Sequence, residues 1–368
     1  MKPTVYTYEP TLGSGDRKLL GLTLRTRLTL SCLRDGAEAV HPLSPSEAPA
    51  QEAIVLMPTT LVGTPDTLRR VLAPDAPDQI FETQDSPVLR VRDLTSFPEE
   101  LLADPAAWIQ RQDLPTTTVE GLFHNVTDNA SSRIAERALI QSLRKSVDGL
   151  ISRTLNRPLS LLTTRLLART PITPNQWTVF IGVVGLVGAW MLAQGGYWMM
   201  TLGALTVHIS SILDGCDGEL ARIKFQSSRI GEWLDTVFDD VVNSAMILGL
   251  GLGLHASTGE SIYATTAILA YAMYLTATSF IYFELVTKYR SGYALDFTWW
   301  FEEANKHANT AEGRGGFFDT IKLCMRRDFY ILFFLVLIAA TMPQVAFWCA
   351  FTAIAALLTI ALAHQLRS

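Results

Sequence analysis

Hydrophobic and polar positions separate into two regimes along the chain. In the carboxy-terminal half, residues 170–213 and 329–363 contain no Asp, Glu, Lys or Arg, and each run far exceeds the roughly 20 apolar residues that cross a bilayer. Cutting this half where small, polar or turn residues interrupt it predicts six membrane helices, near 175–194, 197–216, 229–254, 260–286, 327–343 and 344–364. The breaks fall at Gln194-Gly195-Gly196, Ser257-Thr258-Gly259 and Thr341-Met342-Pro343, which are turn formers. The amino-terminal part instead alternates short apolar runs, at 53–57 and 88–91, with helix-like stretches such as 66–72, the pattern of a small α/β domain. Between the two, Leu139, Leu143, Ile151, Leu155, Leu162 and Leu166 recur at mostly helical intervals with Arg and Lys among them. That segment reads as an amphipathic helix lying in the membrane interface, with a soluble linker helix as the alternative. The expected fold class is therefore membrane all-α with six transmembrane helices over 171–368, preceded by a small cytosolic α/β domain over 1–130 and an interfacial helix over 131–170.

Charge sharpens this picture. The net charge of -5 hides an asymmetry: residues 1–130 hold 18 acidic and 11 basic side chains, whereas 131–169 hold 8 basic and 2 acidic, which suits anionic headgroups. The 287–326 loop carries Lys288, Arg290, Lys306, Arg314, Lys322 and Arg326, the loop after the second predicted span carries Arg222, Lys224 and Arg229, and the three opposite loops carry none. The positive-inside rule then predicts that both termini are cytoplasmic, which disfavours glycosylation at Asn125 and Asn129. Residues 1–10 lack the apolar core of a signal peptide. Four cysteines, Cys32, Cys216, Cys324 and Cys349, have no CxxC spacing. A disulfide framework and a thiolate zinc site are thereby excluded, and buried apolar roles are expected. No nucleic-acid partner is expected.

Candidate chemistry is concentrated in one stretch, Asp214-Gly-Cys-Asp217-Gly218-Glu-Leu-Ala221-Arg222, followed after eight residues by Gly231-Glu-Trp-Leu-Asp235-Thr-Val-Phe-Asp239. On a helix Asp214 and Asp217 share a face, as do Gly218 and Arg222, while Gly231, Asp235 and Asp239 form one stripe on the next. Two facing helices would converge four carboxylates, each costing about 2.5–3.5 kcal/mol at a bilayer midplane. Oxygen donors without His or Cys favour a hard cation, Mg²⁺ or Mn²⁺, bridging to phosphate. Gly218 and Gly231 permit close approach, and Arg222 suits a diphosphate. A salt-bridge cluster is disfavoured because basic neighbours are few. Asp240 lies about 100° round the helix from Asp239 and is expected to meet solvent or a neighbour. His208 is expected to be a packing residue, and Asn175 to act in the site or to cap the first span.

The spacing D-x2-D-G-x2-A-R-x8-G-x3-D-x3-D resembles, at every position, the signature of the CDP-alcohol phosphotransferases. Lys145, Asp148-Gly149, Asn156-Arg157-Pro158, Pro174-Asn175-Gln-Trp-Thr178 and Arg326-Arg327-Asp328-Phe329 are similar to the branch containing di-myo-inositol-phosphate-phosphate synthases. The resemblance implies metal ligation by Asp214, Asp217 and Asp235, with Asp239 as a further ligand or as the catalytic base. It implies contacts of Asp217, Gly218, Ala221, Arg222 and Gly231 with the CDP moiety. Arg153, Arg157, Arg326 and Arg327 either clamp an acceptor phosphate or are simply a basic cytoplasmic flank. The implied reaction is transfer of a phospho-alcohol from CDP-inositol to an inositol phosphate with release of CMP, in a membrane-bound homodimer. Phospholipid synthesis from CDP-diacylglycerol and a small alcohol would use the same residues.

The segment 21–36 is spaced like the helix after the first loop of a nucleotidyltransferase, and the front end resembles a shortened, degenerate inositol-phosphate cytidylyltransferase. A working domain needs a strand before a glycine-rich basic loop. Residues 1–20 offer Gly13-Ser-Gly15-Asp-Arg-Lys18 with no apolar strand before it, so the domain is expected to be non-catalytic. Two other classes remain, a divalent-cation transporter and a silent anchor for a partner enzyme. The single acidic motif without internal repeats argues against the first, and four intact carboxylates against the second.

Overall fold

The computed structural model describes the chain except for residues 1, 12, 45–52, 84–85, 93, 95, 120–122, 145–150, 291, 293–296, 300–325 and 367–368. Lys145, Asp148, Gly149, Lys306, Arg314, Lys322 and Cys324 thus lie outside the described residues. The chain forms two compact units. One comprises 1–144, 168–170 and 223–225, and the other 145–167, 171–222 and 226–368.

The first unit runs β1 (Thr4–Tyr8), a 3-10 turn (Ser14–Asp16), β2 (Lys18–Leu19), β3 (Leu22–Thr23), α1 (Leu24–Asp35), β4 (Val40–Pro42), β5 (Ile54–Pro58), β6 (Leu61–Gly63), α2 (Pro65–Val71), β7 (Gln79–Phe81), β8 (Val88–Val91), α3 (Glu99–Ala103), α4 (Pro105–Gln110), β9 (Thr116–Thr117), β10 (Phe123–Asn125) and α5 (Asn129–Gln141). Six strands form one sheet in the order β4-β1-β5-β8-β7-β9. β1 lies parallel to both neighbours, with Val5 opposite Val40 and Val55, while β8 is antiparallel to β5 and β7. Strand alternation sends Val5, Val55 and Met57 to a layer shared with Leu28, Cys32, Leu68 and Val71. Tyr6, Ile54, Leu56 and Leu89 go to the other, with Leu101 and Ile109. The expected α/β region is present, with the apolar runs at 53–57 and 88–91 as strands and 66–72 as helix.

The missing strand, however, is there. β1 is buried along its whole length and precedes the 13–18 loop, so strand, glycine loop and helix α1 do follow one another. A strand covered on both faces carries no polar alternation, and Thr-Val-Tyr-Thr-Tyr offers none to read. Thr23 caps α1 by accepting from the Thr26 N–H at 3.2 Å, and Gly36 ends it at φ +131°. Arg90 is wholly buried and donates to the carbonyls of Val71, Pro74 and Ala76 at 3.1–3.3 Å, closing the end of α2.

In the second unit a π-type turn (Ser152–Asn156) leads into α6 (Arg157–Leu167), then α7 (Pro174–Ala193), α8 (Tyr197–Lys224), α9 (Arg229–Thr258), α10 (Ser261–Glu284), α11 (Arg327–Ala339) and α12 (Pro343–Gln365). Five of them, α7, α8, α9, α10 with its continuation to Tyr289, and α12, are long and apolar enough to cross a membrane, as a multi-pass membrane protein requires. α11 has 13 residues among those described. The segment 131–170 is not a single helix. α5 packs within the α/β unit and buries Leu139, whereas α6 buries Ser160, Leu161 and Thr164 and exposes Leu159, Leu162 and Leu166, as the preceding turn exposes Leu155.

The helices pack through Leu192, Val207, Met246, Leu250, Ala267, Ile331 and Phe347. α7 and α9 approach so closely that a Cβ at Gly249 or Gly253 would strike the backbone oxygens of Ala189 or Leu192, the close approach that small residues permit in membranes. At the other end of α10, Glu284 accepts from Gln365 Nε2 at 2.9 Å and lies 3.1 Å from His364 Nε2, tying α10 to α12. Cys32 and Cys216 are buried as expected, but Cys349 is exposed on an outward face of α12. Burial pushes the Cys32 thiol up to about 12, with Asp35 adding to the effect.

Arg90→Met removes the donor to three enclosed carbonyls, so protection of residues 2–144 against hydrogen exchange in the full chain should fall by on the order of 3 kcal/mol. Gly253→Ala should lower the melting temperature of the purified protein, because the backbone atom it meets cannot move aside, whereas Gly249 and Gly253 left intact with Ala placed at Gly215 should cost little. Thermal unfolding in one detergent compares the two.

Candidate active site

Helix α8 does not stop where its apolar run ends. It continues through the whole Asp214–Arg222 motif to Lys224, and closes with Phe225 at φ +56° and the Gln226 N–H bonded to the Ala221 carbonyl at 2.8 Å. Three residues later Ser228 caps α9, accepting from the Gly231 N–H at 3.0 Å. This short connection turns the second helix back along the first. The last turns of α8 and the first turns of α9 therefore lie side by side with their carboxylates facing.

One carboxylate oxygen from each of Asp214, Asp235 and Asp239 lies within 4.8 Å of the others. Asp217 sits against Asp235 and accepts from Thr178 Oγ1 on α7 at 2.6 Å and from the Gly218 N–H. Arg327, the first residue of α11, donates through Nη1 to Asp214 at 2.9 Å and also to Asp239. Converging hard oxygen donors with no nitrogen or sulfur ligand among them fit Mg²⁺ or Mn²⁺. Adjacent to the cluster is a cavity of about 370 Å³ lined by Asp214, Asp217 and Asp235, by Gly218, Ala221, Arg222 and Gly231, and by Asn175, Thr178 and Arg157. Such a volume suits a small ligand.

The structure brings Asp214, Asp217, Asp235 and Asp239 together, and the four arginines have different partners. Arg327 bridges two aspartates and Arg157 lines the cavity, while Arg326 lies 3.5 Å from Asp328 and Arg153 is exposed in the π-type turn. Of the basic neighbours, expected to be too few to neutralise the acidic cluster, the Arg327 guanidinium stands within it, between Asp214 and Asp239. Asn175 is not a cap: Thr173 and Gln176 cap α7 reciprocally at 3.0 and 3.3 Å, and Asn175 Oδ1 instead lies 2.9 Å from where a Gly231 Cβ would stand. His208 is buried in the packing as expected. Asp240 meets a neighbouring helix, accepting from Tyr274 Oη at 2.5 Å and from Tyr282 Oη, both on α10.

Sequence reasoning passed over Glu219. It is fully buried and accepts from Arg157 Nη1, from Ser160 Oγ at 2.9 Å and from Thr164 Oγ1 at 2.6 Å. It occupies an unspecified position of the motif, and among the charged residues of 214–222 nothing in the spacing singles it out. Thr178 was noted only as part of a motif string, with no sign that it serves Asp217.

Known proteins resemble this chain over part of its length. A bifunctional IPC transferase and DIPP synthase of Aquifex aeolicus is 35% identical over 150 residues, covering 40% of this chain and 34% of that protein. The protein of the same name from Thermococcus kodakarensis is 30% identical over 198 residues, covering 53% of this chain and 44% of its own. The matches thus span less than half the length of these relatives. The crystal structure of Mycobacterium tuberculosis phosphatidylinositol phosphate synthase with CDP-DAG bound is 17% identical, with a TM-score of 0.39, over 56% of this chain and 93% of that one. Residues 171–361, just over half of the chain and the whole of the carboxylate motif, match the family model described as CDP-alcohol phosphatidyltransferase, and the chain belongs to that family.

Proposed function

We propose that the membrane unit transfers a phospho-alcohol group from a CDP-alcohol to an acceptor hydroxyl and releases CMP, with CDP-inositol as donor and an inositol phosphate as acceptor. The observation that carries this reading is the meeting of Asp214, Asp235 and Asp239 beside a cavity lined by the rest of the motif. The family's membership supports an enzyme and gives none to a transporter. The substrate pair is supported by the names of the relatives.

Asp214, Asp235 and Asp239 would hold the divalent cation, Mg²⁺ or Mn²⁺, with Asp217 beside Asp235. When bound, such an ion neutralises diphosphate charge. Gly218, Ala221 and Gly231 leave room for the CDP moiety, and Arg222 meets its phosphates. Asp239, oriented by the Arg327 guanidinium, takes the proton of the acceptor hydroxyl. The acceptor oxygen bonds to the β-phosphorus as the bond from that phosphorus to the CMP oxygen breaks. The leaving CMP keeps the electron pair, and no covalent enzyme intermediate forms. Thr178 keeps the Asp217 carboxylate turned toward the cavity.

In this reading α11 completes a sixth span, both termini are cytoplasmic, and the exposed leucines of α6 rest in the lipid interface of a homodimer. Residues 1–130 serve as a structural or regulatory domain. Although β1 precedes it, the glycine loop is occupied from within. Glu9 accepts from the Gly13 N–H at 3.1 Å and pairs with Arg25 of α1, which are groups a phosphate would need.

Purified protein with Mg²⁺ should release CMP from CDP-inositol when an inositol phosphate is supplied, and a chelator should stop it; release from CDP-diacylglycerol alone would reassign the donor. Asp239→Asn should lower turnover by about 10²–10⁴-fold, and parental turnover would show that another group takes the proton. Arg327→Ala should lower kcat by about 100-fold or more, while Arg153→Ala changes it little; equal effects would argue for a diffuse basic flank. The full chain should form no CDP-alcohol from CTP and an inositol phosphate, which an assay for released pyrophosphate reads directly.

A further inference from the structure

Glu219 has no part in the chemistry just described. It lies two residues beyond Asp217, about 200° round α8, and so points away from the aspartates toward α6. A fully enclosed carboxylate in a membrane helix is costly, and a buried ion pair is often no more stable than well-packed apolar side chains in its place. Stability alone therefore accounts poorly for this pair. Its partner supplies the other half of the explanation, because Arg157 lines the same cavity as Gly218 and Arg222.

We propose that Glu219 is a positioning residue that holds the Arg157 guanidinium at the cavity wall, where it meets the phosphates of the CDP donor. The proposal rests on the function assigned above. The seat is built from two helices. Ser160 and Thr164 of α6 donate to Glu219 at 2.9 and 2.6 Å, and Cys216 Sγ reaches the Ser160 carbonyl at 3.4 Å, which fixes α6 along α8. One helical turn before Glu219, Gly215 presents no side chain, and Arg157 Nη1 lies 3.7 Å from where its Cβ would stand. A guanidinium is a rigid fork of five N–H donors. Glu219 engages it through Nη1, which anchors the fork at one nitrogen while the side chain still lines the cavity. An arginine held in this way binds phosphate without first losing rotamer freedom.

The full chain in detergent, titrated with CDP and assayed for CMP release, tests the role. Glu219→Gln, which keeps the volume, should weaken CDP binding and raise the KM for the CDP donor about tenfold, with kcat within about threefold and the affinity for cytidine unchanged. In an Arg157→Met background the same substitution should have no further effect on CDP. Parental CDP affinity, equal weakening for cytidine and CDP, a change confined to the acceptor KM, or additivity of the two substitutions would each overturn the proposal. Should Glu219→Gln fail to fold, Thr164→Val removes one donor and leaves the charge pair, and a CDP affinity weakened about threefold supports the role where a parental value refutes it. A parent protein that binds no CDP and releases no CMP would refute the assigned function as well; a parent that does both beside an unchanged Glu219→Gln refutes only the positioning role.

Discussion

Negative charge held where membrane helices meet is the constraint around which the second unit is built. Asp214, Asp217 and Glu219 on α8, and Asp235, Asp239 and Asp240 on α9, are gathered within a few turns of one connection. Four neighbouring helices contribute donors to them. Arg157, Ser160 and Thr164 come from α6, Thr178 from α7, Tyr274 and Tyr282 from α10, and Arg327 from α11. The polar contacts that make the acidic residues tolerable also decide which helices stand next to them. The outward faces, with residues such as Val183, Val187 and Trp190 of α7 exposed, are left to apolar surroundings.

Helix length eases the same problem. α8 has 28 residues and α9 has 30, about 42 and 45 Å at 1.5 Å per residue, against a hydrocarbon core of about 30 Å. The excess carries the motif toward one end of the pair, where headgroups and water lower the cost of charge. Within the cluster the roles divide by partner. Asp217, Asp240 and Glu219 are each bound by hydroxyls or by a single arginine, an arrangement that holds a shape. Asp214, Asp235 and Asp239 share one small space, which concentrates a field.

Much of this was legible in the sequence because helical periodicity is strict. Residues three and four apart share a face whatever the surroundings, so Gly231, Asp235 and Asp239 were read as one stripe and the two carboxylate pairs as facing. Hydropathy marked the spans for a similar reason, since an apolar run of that length has few other uses. What stayed hidden depended on tertiary partners. β1 was invisible because a strand buried on both faces shows no alternation. Glu219 and Thr178 carry no periodic signal and acquire meaning only from helices far away in sequence. Arg327 was read as one of four arginines that clamp a phosphate or form a basic flank, but its place between Asp214 and Asp239 is set by packing of α11. The stretch 131–170 misled because leucines at helical spacing continue across a boundary between two compact units.

The central claim is that carboxylates from α8 and α9 share one divalent cation. Anomalous scattering from crystals of the full chain grown with Mn²⁺ tests it directly. A single strong peak within coordinating distance of Asp214 and Asp235, lost in Asp214→Asn, is the predicted result. Crystals of the same protein with ordered side chains at both aspartates but no manganese between them, or with the ion bound elsewhere, would contradict it.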